Sequence, residues 1–162
     1  MASPKTSHSD LYERDYYGWI TQQVLALRAR RIEDIDFENV AEEIEDLGKS
    51  EKRSVQSHLE TLMGHLLKLT YARALSRERN ARSWENTIEL TRSRIHRLLD
   101  ENPSLHPALE ELFSHAYKDA RIVARRGLGF PREPLPEKPP WTLSQVLDDS
   151  FLPKPYSHLG AS

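Results

Sequence analysis

Glu51, His58 and His65 follow one another at intervals of seven in a chain of 162 residues. A carboxylate and two imidazoles on one helix face are the raw material of a metal or polar site, because neutral imidazole nitrogen and carboxylate oxygen are both good ligands. Seven residues separate successive side chains by about 10 Å along a helix axis, whereas a metal–nitrogen bond spans only ~2 Å. The three therefore cannot close on one ion unaided, and a site would need ligands from other helices, such as His115 or Asp119. The preferred reading is that they edge an apolar stripe and are satisfied by hydrogen bonds within or between helices, with arginines of a third helix available to Glu51.

Charge is segregated along the chain. Residues 33–46 hold eight acidic side chains and no basic one, whereas residues 68–97 hold eight basic against three acidic. Within the first block Glu42, Glu45 and Asp46 could take a divalent cation, although no loop is present to wrap it. Within the second, residues 72–83 carry Arg73, Arg77, Arg79 and Arg82 and read as a loop suited to phosphate or carboxylate. Such blocks are either solvated faces or surfaces where acid meets base, within one subunit or across a dimer. The interaction candidates are accordingly Glu42, Glu43, Glu45, Arg73, Arg77, Arg79 and Arg82.

The chain has no cysteine, which removes disulfide scaffolds, thiolate metal sites and thiol catalysis together. Its net charge of −2 argues against a general nucleic-acid binder. The phosphate-cradling glycine loops, the H-E-x-x-H helix and the G-x-S-x-G elbow are all missing. No glutamate stands three residues before a histidine, which argues against a di-metal carboxylate bundle. No apolar run is long enough for a signal peptide or a membrane span, so the cytoplasm is the expected location.

These residues must be positioned by helices. A first helix is expected over residues 11–29, capped by Asp10, with Tyr16, Ile20, Val24 and Leu27 on one face and Trp19 widening it. A long second helix is expected from about residue 36 to 71, its stripe being Val40, Ile44, Leu47, Val55, Leu59, Leu62, Leu66 and Leu69. Gly48 is its weak spot, at a cost of only about 1 kcal/mol. A third helix is expected over residues 82–100, and a fourth opens at Ser104 and ends at Gly127 and Gly129. Beyond residue 130 the chain is proline-rich, with seven of its ten prolines between positions 131 and 155. A capping box at Thr142 and Gln145 predicts one short helix there, ended by Pro153. Trp141, Leu147, Phe151 and Leu152 make this segment too apolar for a free linker, so it reads as a strap laid over the helices. Trp19, Trp84, Tyr16, Tyr17, Tyr71 and Tyr117 are expected as core and interface anchors. The expectation is one all-α domain over residues 1–162, with a four-helix bundle over 11–126 and the strap over 130–155.

Several stretches resemble the bacterial DUF29 family, from about residue 11 to 152. They are Asp15-Tyr16 with Trp19, the run Asn39-Val40-Ala41-Glu42-Glu43-Ile44-Glu45-Asp46-Leu47-Gly48, and His65-Leu66-Leu67-Lys68. Ser83-Trp84 with Ile88 and Arg92, Pro103-Ser104-Leu105, and Ala116-Tyr117 with Ala120-Arg121 continue the likeness. The resemblance implies an all-helical fold and no agreed activity, so it transfers no catalytic residue and no cofactor. The leading functional expectation is a non-enzymatic, self-associating interaction module, whose partner is a second copy or another protein and not a membrane. A helical bundle with a small-ligand or metal site on the second helix comes next, and an arginine contact to nucleic acid third.

Overall fold

A computed structural model describes residues 8–129 and 134–156. Among these residues every regular element is helical: α1 (His8–Arg14), α2 (Tyr16–Arg28), a 3-10 turn (Ile32–Asp34), α3 (Phe37–Tyr71), α4 (Ala74–Glu101), a second 3-10 segment (Pro103–Ala108), α5 (Leu109–Gly127) and α6 (Leu143–Leu147). None of these helices is long and apolar enough to cross a membrane. The chain divides into two compact units, one ending at Ser50 and one beginning at Glu51.

In the first unit, two helices stand where one is expected. The break falls at Asp15, whose carboxylate accepts the Gly18 backbone N–H at 2.9 Å and so caps α2. Asp10 lies inside α1 and is not the cap. A Cβ at Gly18 would sit 2.4 Å from Asp15 Oδ2, so any larger residue there would make the capping carboxylate shift. The buried line of α2 is Trp19, Gln23 and Ala26, not the expected apolar line, and Tyr16, Val24 and Leu27 are exposed. Gln23 is buried because it serves the backbone: its Oε1 accepts from Asp36 N at 2.8 Å, and its Nε2 donates to Asp34 O at 3.4 Å. Arg30 takes the left-handed conformation at φ 54°, and the Arg31 N–H closes the helix end on Ala26 O.

The second unit holds the apolar core. Val55, Leu59, Leu62, Leu66 and Leu69 of α3 pack with Ile88, Ile95 and Leu99 of α4 and with Leu112, Phe113, Ala116, Tyr117 and Ala120 of α5. Helix α3 is continuous through Gly48, as its unbroken stripe predicts. Helix α4 starts eight residues earlier than expected. Residues 74–82 contain no glycine or proline and, apart from Ser76 and Asn80, are good helix formers, so the chain resumes its helix after a two-residue break at Ala72 and Arg73. The fourth helix opens differently as well: residues 103–108 form a 3-10 segment, and α5 proper begins at Leu109 with no side-chain cap. Ser104 is therefore not the cap: Pro107, three residues on, has no N–H for a cap hydroxyl to accept. Gly129, at φ 65°, follows the end of α5.

The capping box forms as predicted, with Gln145 N donating to Thr142 Oγ1 and Thr142 N donating to Gln145 Oε1. Helix α6 stops at Leu147, well before Pro153, since its last carbonyls are taken by side chains of α4 described below. Residues 130–133 at the start of the expected strap lie outside the described residues.

Candidate interaction surface

The start of α3 receives the aromatic residues of α1 and α2 on a polar face. Asp36, Asn39 and Glu43 stand three and four residues apart, on one side of the helix. Tyr12 Oη donates to Glu43 Oε1 at 2.6 Å and Tyr16 Oη donates to Glu43 Oε2 at 2.5 Å. Trp19 Nε1 donates to Asp36 Oδ2 at 3.2 Å, and Asn39 Nδ2 donates to the same oxygen at 2.7 Å. The rings stack around this contact, with Tyr12 edge-on to Trp19 at 4.8 Å and Tyr16 stacked on Trp19 at 6.0 Å. The hydrogen bond to Glu43 pushes the Tyr12 hydroxyl up to about 12 and raises that of Tyr16. Tyr17, expected as an anchor, is 80% exposed.

With its polar side so engaged, this part of α3 leaves its apolar side bare. Phe37, Ile44 and Leu47 are 60%, 63% and 68% exposed, whereas Val55, Leu59, Leu62 and Leu66 further along the helix are fully buried. At about 100° per residue Phe37, Ala41 and Ile44 fall on the same arc as Val55, Leu59 and Leu62. One stripe thus runs along the helix, covered in its second half and open in its first. Leu25 and Ile32 are also exposed in the first unit, and its only buried apolar side chains among the described residues are Trp19 and Ala26.

The sequence candidates divide sharply. Glu43 is occupied by the two tyrosines, while Glu42 and Glu45 stand exposed. Lys49 bonds Asp46 at 2.8 Å and lies 3.9 Å from Glu45. Glu51, His58 and His65 are not brought together with other ligands: among the described residues no group of three or more histidine or carboxylate side chains could hold a metal. Each histidine is instead satisfied within its own helix, His58 Nδ1 donating to Ser54 O at 2.7 Å and His65 Nδ1 donating to Thr61 O at 2.8 Å. Burial lowers the His65 pKa.

The arginine segment is the first turns of α4 and not a loop. Arg73 is its N-cap residue, and Arg77 turns back so that its Nη2 donates to Ala72 O at 2.5 Å, closing the end of α3. Only Arg73, Arg79 and Arg82 of the four are exposed.

Arg92 has a role that spacing did not reveal. It is 1% exposed, and its guanidinium donates to three strap carbonyls: Val146 O at 2.8 Å, Asp149 O at 3.4 Å and Phe151 O at 2.7 Å. His96 Nε2 adds a bond to Leu147 O at 3.0 Å. Tyr117 Oη donates to Pro136 O at 2.8 Å and Arg121 Nη2 to Leu135 O at 3.1 Å, holding the other end of the strap. Burial pushes the Tyr117 hydroxyl up to about 12. A groove of about 780 Å³ beside Arg92 is lined by Glu89, Ser93, His96 and Arg97 of α4 and by Asp149. The sequence signal for this clamp was an arginine four residues beyond Ile88, on the same side of α4 as the buried stripe.

An all-helical protein with a clamped C-terminal strap and a half-open stripe on its longest helix is the class these observations define. The chain belongs to the family described as domain of unknown function DUF29, whose family model matches residues 11–152. No curated protein and no solved structure matches it.

Proposed function

We propose that this chain is a non-enzymatic protein-interaction module that self-associates through the open apolar stripe of α3. The exposed Phe37, Ile44 and Leu47 carry this reading, because they continue a stripe whose other half is fully buried. Large aliphatic and aromatic side chains gain about 1.5–3 kcal/mol each on leaving water, so a contiguous open row is a reason to associate. The first unit sharpens the point: it spends its aromatic residues on hydrogen bonds to Asp36 and Glu43 and keeps little apolar surface inside.

Native mass spectrometry of the full chain at micromolar concentration tests the reading. A dimer is expected for the wild type and a monomer for Ile44→Lys, with unchanged circular dichroism because Ile44 is already solvated within one chain. A wild-type monomer overturns the proposal.

A further inference from the structure

We infer that the second copy lies antiparallel to the first, α3 against α3, with the two-fold axis beside Ile44 and Glu45. This rests on the self-association proposed above and names its geometry. The observation is a reversal of charge along the open half of the helix. From Phe37 to Asp46 α3 carries Glu38, Glu42, Glu43, Glu45 and Asp46 and no base, and the next seven residues carry Lys49, Lys52 and Arg53 against Glu51 alone.

Glu38, Glu42, Glu45, Lys49 and Lys52 share one flank of the stripe at about 100° per residue, and all are exposed. A parallel pair would set this flank against the opposite flank of the second copy, where Val40, Glu43 and Leu47 stand and no base meets the carboxylates. An antiparallel pair turns the flank onto itself in reverse order. Glu42 then meets Lys49 of the second copy, and Glu38 meets Lys52, each pairing occurring twice by symmetry. At the centre Lys49 already lies against Asp46 and Glu45 of its own chain, so the axis does not bring bare carboxylates together. Along the stripe Ile44 faces Ile44 or Leu47, and Phe37 reaches the neighbourhood of Glu51.

The absence of cysteine makes cross-linking a clean test, since any disulfide must come from introduced residues. Under mild oxidation Ile44→Cys is expected to form a self-linked dimer. Phe37→Cys is expected not to link to itself, because the two copies of that position lie about 20 Å apart along the axis, far beyond the ~7 Å that a disulfide spans. Mixed with Glu51→Cys, it is expected to link. Glu42→Lys is expected to weaken the dimer roughly tenfold, and adding Lys49→Glu in the same chain to recover most of that loss. Self-linking of Phe37→Cys as efficient as that of Ile44→Cys overturns the antiparallel geometry. No linking by any variant, in a protein that native mass spectrometry shows as a dimer, overturns the α3 pairing and leaves self-association standing. A wild-type monomer overturns both.

Discussion

The two halves of α3 obey the same hydrophobic pattern and meet opposite fates. In the second half Val55, Leu59, Leu62 and Leu66 are covered by α4 and α5. In the first half Phe37, Ile44 and Leu47 carry the same periodicity and remain in water, while the polar side of the helix holds Tyr12, Tyr16 and Trp19 through Glu43 and Asp36. An apolar stripe therefore marks a helix face that can be buried, and only the neighbours decide whether it is.

Truncation separates the halves most strongly. Leu62→Ala is expected to cost about 2–5 kcal/mol of unfolding free energy, the cost of a cavity in a closed core. Ile44→Ala is expected to change the stability of the isolated monomer by less than ~0.5 kcal/mol. Chemical denaturation at a concentration low enough to keep the chain monomeric compares the two. Equal losses would show that the first half is covered within one chain.

The clamp on the strap comes next. Arg92→Ala removes three donors from a buried position, and ~2–4 kcal/mol is expected to be lost. Proteolysis should then cut within residues 143–156 before it reaches α5. A strap as resistant as that of the wild type would mean that the Tyr117 and Arg121 bonds alone hold it.

The smallest effect is set by pH. Burial lowers the His65 pKa in the folded chain, so the unfolded chain takes up the proton first as pH falls. Stability is expected to be level above about pH 6.5 and to decline as pH drops from there toward the lowered folded value. His65→Gln, which can still donate to the Thr61 carbonyl, is expected to remove that part of the decline. Identical pH profiles for the two proteins would show that His65 is as solvated as in the unfolded chain.

Much of the fold is legible in the sequence. The continuity of α3 through Gly48 follows from a stripe that keeps its phase on both sides, and a Cβ at Gly48 would meet nothing, so the glycine is a tolerated weak point. The capping box at Thr142 needs only residues three apart. The misreadings have local physical causes. Clustered arginines look like a loop when judged by charge, yet arginine is a good helix former, and the true break is the short Ala72-Arg73 step. Asp15 reads as an interior helix residue until its side chain is seen to take the Gly18 N–H.

The candidate site was legible only in its ingredients. Glu42, Glu43 and Glu45 are singled out by charge, but spacing cannot say that Glu43 is spent on two tyrosines some thirty residues earlier. The histidines stand out on an apolar arc, but whether each bonds the carbonyl four residues back depends on a rotamer set by its surroundings.

The sequence by itself determined that this protein is helical, where most of its helices lie, and that α3 carries one unbroken apolar stripe, because helix periodicity and capping are local matters of a few residues. Only the tertiary structure decided that Arg92 closes on the strap, that Gln23 is buried to serve a turn, and that the stripe is covered from Val55 onward and open before it. Burial is a property of what approaches a face from far along the chain, and no local pattern encodes it.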